Sequence, residues 1–163
     1  MQRKLFLCRH ADTTDPSPSQ PDFDRTLTKK GEEQAALAGK WLKEQQITIH
    51  CLLCSPAQRT KTTASFIINE LGYLPDRVVY DEHIYRARAT ELLNVLSQQD
   101  NAWQNILLIG HNPAISELAS MLAGHDMGYF TPGSILQINL ELEKWEEILY
   151  ETGKVAAKKF NND

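Results

Sequence analysis

The chain has little of what marks the more specialised protein classes. Its 163 residues include three cysteines, Cys8, Cys51 and Cys54, an odd count that supplies no disulfide framework. All three lie in apolar runs, where a thiol behaves as a small hydrophobe. Cys51 and Cys54 have the CxxC spacing, but zinc takes about four ligands and no second pair exists, so a redox or metal role is the remotest reading. No run of lysine and arginine is present and the net charge is −4. Nucleic acid is therefore not the expected partner, since affinity for a phosphate backbone needs clustered cations. The opening MQRKLFLC is too short for a signal peptide and far short of the ~20 apolar residues that cross a bilayer. No membrane association is expected, and the cytosol is the expected location. Repeats and low-complexity tracts are missing as well.

What remains has the composition of an ordinary globular protein, 42% hydrophobic and 23% charged. A chain of this length can bury roughly two thirds of its unfolded surface in one core. One domain over residues 1–152 is expected, with a C-terminal tail over 153–163. Apolar runs alternate with amphipathic stretches, the pattern of βα units. The fold class predicted is α/β, with a mixed, mostly parallel central sheet flanked by helices on both faces.

Leu5 to Cys8, Cys51 to Cys54, Val78 to Tyr80 and Ile106 to Ile109 read as strands. Leu136, Ile138 and Leu140 alternate with Gln137, Asn139 and Glu141 in the period of two of a half-buried strand, and Ile148 to Tyr150 reads as a further one. A loop with Pro16, Pro18 and Pro21 is expected to be exposed, after which Thr28 opens a helix carrying Ala35, Ala38 and Leu42. Ser55, Pro56 and Gln58 supply an N-cap, a first-turn proline and a capping-box partner for a second helix that stops at Gly72. Glu91 to Leu96 reads as helical. Asn112 and Pro113 repeat the cap-and-proline logic before Ile115, Leu118, Ala119 and Leu122, and Gly124 stops that helix.

Three of these strands share one grammar. Leu5 to Cys8 ends in Arg9 and His10, Cys51 to Cys54 in Ser55 with Arg59 one helical turn on, and Ile106 to Ile109 in Gly110 and His111. Open α/β sheets bind ligands beyond the carboxyl ends of their strands, so the three segments meet at one site if their strands are parallel neighbours. Two histidines among arginines suit a phosphoryl group. Arginine offers a rigid fork of donors to phosphate oxygens and stays charged, and helix starts add positive dipole ends. A neutral histidine can attack phosphorus and form a phosphoramidate that water then hydrolyses. With arginines neutralising the charge, neither metal nor cofactor is required. Taken singly, each histidine reads as a structural residue and each arginine as a salt-bridge partner; their conjunction carries the argument.

These residues resemble a known family. LFLCRHAD is similar to the N-terminal RHG motif of the histidine phosphatase superfamily, which has the phosphoglycerate mutase-like fold. Ser55, Pro56, Arg59 and Thr63 match its SPxxRxxxT stretch, and Gly110 to Pro113 match its late GHxP-like segment. The short chain and the stretch Asp24 to Gly31, DRTLTKKG, resemble the compact SixA-like phosphohistidine phosphatases, and the similarity runs from about Leu5 to about Leu142. The resemblance implies that His10 is the phosphorylated nucleophile, that Arg9 and Arg59 hold phosphate oxygens and that His111 donates to the phosphoryl group. It implies a further phosphate contact from Arg25, and Ser55 and Asn112 are candidate substrate contacts within the matched motifs.

Two departures from the family pattern stand out. Ala11 replaces the glycine of RHG, as in a variant of the short branch. In HIYRARATE, Arg86 stands where larger relatives place a carboxylic acid, with Asp81, Glu82 and Glu91 nearby. An alkoxide leaving group needs a proton from a positioned acid, a contribution of ~10²–10⁴-fold. Phosphohistidine can leave as neutral imidazole and depends less on one. The expected activity is thus a metal-independent phosphatase acting on phosphohistidine in a protein. The alternatives are a general phosphomonoesterase on small phosphorylated molecules and a phosphate-recognising module without turnover.

Overall fold

The protein is described by a computed structural model covering residues 1–149 and 153–162. Six strands are formed among these residues: β1 (Gln2–Arg9), β2 (Cys51–Cys54), β3 (Val78–Tyr80), β4 (Asn105–Gly110), β5 (Ile135–Glu141) and β6 (Lys154–Lys159). Four α-helices accompany them: α1 (Lys29–Glu44), α2 (Gln58–Leu71), α3 (Ala89–Ser97) and α4 (Ala114–Ala123). The strands make one sheet in the order β3-β2-β4-β1-β5-β6. β3, β2, β4 and β1 run parallel, whereas β5 is antiparallel to β1 and β6 to β5. None of the described helices is long and apolar enough to cross a membrane.

Period-two alternation sorts the strand residues onto two cores. Phe6, Cys8, Leu52, Cys54, Leu107 and Ile109 face Ala38 and Leu42 of α1 and Ala64 and Ile67 of α2. Leu5, Leu7, Leu53, Ile106 and Leu108 face α3 and α4 through Leu92, Leu96, Ile115 and Leu118. Both faces of β1, β2 and β4 are therefore covered, which is why they read as continuous apolar runs, whereas Val79 and Tyr80 of the edge strand β3 are exposed. Arg3 of β1 is fully buried beside the Trp145 ring, where its guanidinium donates to the carbonyls of Asn101, Trp103, Leu142 and Glu143.

Thr28 caps α1 as expected, accepting from the Gly31 N–H at 3.0 Å. It also clasps Asp12, donating from its hydroxyl to Oδ2 at 2.7 Å and from its N–H to the Asp12 carbonyl at 3.0 Å. A Cβ on Gly31 would collide with that carbonyl oxygen, so glycine permits the first turn of α1 to rest against the chain just after His10.

Four expectations are corrected. The C-terminal stretch 153–163 is not a free tail: its residues 154–159 form β6 on the sheet edge. That strand carries Lys154, Lys158 and Lys159 and is mostly exposed, as edge strands that resist further pairing are, and so it has no apolar signal. The supposed strand from Ile148 ends instead in a 3-10 turn, Trp145–Leu149, which buries Trp145 and Ile148; Tyr150 lies outside the described residues. α2 starts at Gln58 with Ala57 at its cap, not at Ser55 and Pro56; the Ser55 hydroxyl accepts from the Ala57 N–H at 3.3 Å and meets His111 Nε2 at 2.8 Å. α4 likewise has Pro113 at its cap, with Asn112 one residue outside and accepting from the Ser116 N–H at 3.2 Å.

Candidate active site

Parallel alignment brings the predicted segments to one edge of the sheet. Arg9 is in register with Gly110 and Cys54 with Ile109. Just past these ends the His10 N–H donates to the Gly110 carbonyl at 3.1 Å and the Ser55 N–H to the Ile109 carbonyl at 3.2 Å. The Ala11 N–H donates to Thr63 Oγ1 of α2 at 3.0 Å, and the carbonyl of His10 accepts from the Gly133 N–H at 3.0 Å. Ala11 is fully buried, and its φ is not positive, so the glycine of the family motif is not demanded by the backbone here.

His10 and His111 are both buried, with ring centroids 5.3 Å apart. Nδ1 of His10 is 2.8 Å from the Ala11 carbonyl oxygen. A carbonyl only accepts, so Nδ1 carries the proton and Nε2 keeps its lone pair. Burial, reinforced by His111, Arg59 and Arg9, pushes the His10 pKa down to about 3 despite the opposing contact with Ala11. The ring is therefore neutral at pH 7. Burial and the nearby Arg59 likewise push His111 down to about 3. Its Nε2 lies 2.8 Å from Ser55 Oγ, and its Nδ1 is buried with no hydrogen-bond partner among the described residues.

The arginines approach from two sides. Arg9 Nη1 donates to the Phe130 carbonyl at 2.8 Å and the guanidinium lies 5.5 Å from the Tyr129 ring. Asn112 Nδ2 donates to the same carbonyl at 2.9 Å, and Asn112 Oδ1 accepts from Ser116 Oγ at 2.7 Å, so its amide is engaged in bracing this corner. Arg59, at the start of α2, donates from Nη1 to the Asp22 carbonyl at 2.7 Å and from Nη2 to Asp22 Oδ2 at 3.0 Å, while its Nε is buried without a partner among the described residues. Arg25 donates to Asp22 Oδ1 at 3.1 Å and to Thr13 Oγ1 at 2.7 Å.

Asp22 and Tyr85 were not singled out in the sequence. The Tyr85 hydroxyl donates to Asp22 Oδ2 at 2.7 Å, and its ring meets His111 edge-on at 5.6 Å between centroids. Partial burial opposes ionisation of Asp22, but the bonds from Tyr85, Arg59 and Arg25 hold its carboxyl well below the usual carboxylate range. Burial and the neighbouring Asp22 charge raise the Tyr85 phenol. The one available signal was position: Asp22 stands two residues before the recognised DRTLTKKG stretch, and Tyr85 directly before Arg86, whose guanidinium lies 5.3 Å from the Tyr85 ring. Of the nearby carboxylates, Asp81 accepts from the His83 N–H and pairs with its ring, Glu91 accepts from the Arg88 N–H at the start of α3, and Glu82 is exposed. The thiols of Cys51 and Cys54 are buried, and burial pushes Cys51 up to about 12.

The segments that carry Arg9, His10, Ser55 and Arg59 fall within residues 5–85, over which a family model matches, that of the histidine phosphatase superfamily (branch 1). The chain belongs to this superfamily. An uncharacterized protein of Mycobacterium tuberculosis is 31% identical over 115 residues, covering 71% of this chain and 69% of that one. A Mycobacterium leprae relative is also 31% identical, and the aligned part spans 61% of its length. Phosphohistidine phosphatase SixA of Escherichia coli is 26% identical over 141 residues, 85% of this chain and 86% of SixA. A solved SixA structure from Nakamurella multipartitia superposes with a TM-score of 0.85 at 22% identity, covering 98% of this chain and 96% of the other. At that identity the likeness speaks for the fold, the phosphoglycerate mutase-like one, and histidine phosphatases as a family are hydrolases.

Proposed function

We propose that the protein is a metal-independent phosphatase of the cytosol that removes phosphate from phosphohistidine on a protein. The observation that carries this reading is the bond from His10 Nδ1 to the Ala11 carbonyl, which leaves a neutral Nε2 as nucleophile beside His111, Arg9 and Arg59. In the first step Nε2 forms a bond to phosphorus as the phosphorus–nitrogen bond of the substrate breaks, and the departing imidazole leaves neutral by virtue of a proton on its own ring. In the second, water attacks phosphorus, the bond to His10 breaks, and inorganic phosphate departs. The guanidinium groups of Arg9 and Arg59 balance the phosphoryl charge in both steps.

The choice of substrate follows from the absence of a suitable acid among the residues that meet here. Asp22 is fully ionised, the Tyr85 phenol is a weaker acid than usual, and Asp81 and Glu91 are bonded locally. An alkoxide would depart unassisted, so the site favours a phosphoramidate. The test is a panel of phosphohistidine proteins, aryl phosphates and alkyl phosphates, assayed with and without chelator. Phosphohistidine and aryl phosphates should turn over at least ~10²-fold faster than phosphoserine, with chelator of no effect and vanadate inhibitory. Equal rates on alkyl esters would replace this reading with the general phosphomonoesterase, with Tyr85 the first proton donor to examine. Binding without turnover of any substrate would leave the recognition module.

A further inference from the structure

Resting on the phosphatase reading, a second question is which nitrogen of His111 carries its proton. The neighbour that decides it is Ser55. This residue is fully buried, and its hydroxyl oxygen has two contacts: it accepts from the Ala57 N–H at 3.3 Å and lies 2.8 Å from His111 Nε2. A serine hydroxyl has one proton and two lone pairs, and Ala57 occupies one of the lone pairs. If Nε2–H donated to Ser55, the hydroxyl proton would be buried with nothing to receive it. If Ser55 donates to Nε2, both its proton and its oxygen are satisfied. Buried polar groups are rarely left unpaired, so the second arrangement prevails.

We infer that Ser55 is a positioning residue that holds His111 as its Nδ1–H tautomer, so that a neutral imidazole presents an N–H donor to the phosphoryl oxygens. The ring's neutrality, which burial enforces, is what makes the choice consequential: with a single proton, the nitrogen that holds it decides whether the site gains a donor or a second lone pair. Nδ1 is the ring atom left buried without a partner among the described residues. His10 and His111 thus share one tautomer and show the substrate opposite ends. His10 uses its Nδ1–H on the Ala11 carbonyl and offers a lone pair, whereas His111 uses its Nε2 lone pair on Ser55 and offers its N–H. An attacking atom and a hydrogen-bond donor are obtained from two identical side chains by changing only what the other nitrogen touches.

The test is proton–nitrogen correlation spectroscopy of the full chain with ¹⁵N-labelled histidine at pH 7. Wild-type protein should show the His111 proton on Nδ1. Ser55→Thr, which keeps the hydroxyl, should retain that signature, and Ser55→Ala should lose it. In parallel, kcat should fall about 10–100-fold in Ser55→Ala with little change in KM, and Ser55→Thr should recover most of it. A wild-type His111 protonated at Nε2 overturns the inference, as does a folded Ser55→Ala with unchanged tautomer and kcat. The wild-type measurement requires no variant to fold. It also separates the two readings, because a chain that turns over no substrate would end the phosphatase reading while the tautomer is still read directly.

Discussion

The two halves of the sheet do different work. The four parallel strands, β3, β2, β4 and β1, have their carboxyl ends on one edge, where β2 runs into Ser55, β4 into His111, and β1 ends in Arg9 with His10 next. The antiparallel arm, β5 and β6, meets the same corner through main-chain bonds. The Gly133 N–H donates to the carbonyls of Arg9 and His10, the Arg9 N–H donates to the Ser134 carbonyl, and Asn161 beyond β6 holds Pro132 and Ser134 in place. Parallel strands concentrate chemistry because their directions agree. The arm steadies it from behind.

Breaking the parallel half should have the largest effect. His10→Ala is expected to lower turnover by more than ~10³-fold, since in the proposed mechanism it removes the bond-forming atom rather than a helper; steady-state assays of the variant and mass analysis of the wild type for phosphate on His10 check this. Arg59→Ala should cost about 10²–10³-fold in kcat and weaken vanadate binding in step, read by inhibition titration. Removal of residues 153–163 tests the arm. Loss of β6 and of the Phe160 contact on Phe130 should lower stability by about 2–3 kcal/mol but turnover only a few-fold, as measured by urea unfolding and by assay at low temperature.

The smallest effect on turnover is that of pH. His10 and His111 drop from an ordinary 6.5 to about 3 in the folded protein. Between these values the unfolded chain binds protons that the folded one refuses. Stability is therefore complete above pH 6.5 and falls as the pH drops toward 3, by up to ~1.4 kcal/mol per pH unit for each histidine. His10→Ala should make that slope shallower in urea unfolding followed between pH 7 and 4. Activity at pH 5 should persist, because the nucleophile stays neutral there.

The fold was legible wherever burial leaves a pattern. β2 and β3 were read to the residue and the cap at Thr28 was correct, because apolar runs and capping chemistry are local signals. β6 was hidden because an exposed, lysine-bearing edge strand has the composition of a tail. That Arg9, His10, Arg59 and His111 converge was legible because each sits at a strand end or helix start. Asp22 and Tyr85 were not, since they touch across 63 residues of chain and only the path of the loop between β1 and α1 brings them together. Ser55 shows the limit most clearly. Its place before Pro56 suggests a helix cap, and nothing local shows that its hydroxyl also meets His111, 56 residues away.

The clasp between Thr28, Gly31 and Asp12 bears on how a substrate is received. The main chain leaving His10 is pinned by α1 on one side and by Thr63 of α2 on another, and Gly31 lets α1 come close enough to pin it. Little conformational entropy is left there for an arriving phosphoryl group to remove, so the backbone that carries the nucleophile is a preorganised mould rather than a closing jaw. Any larger residue at position 31 would push that mould away from its attacking geometry from the far side, without touching a single atom of the substrate.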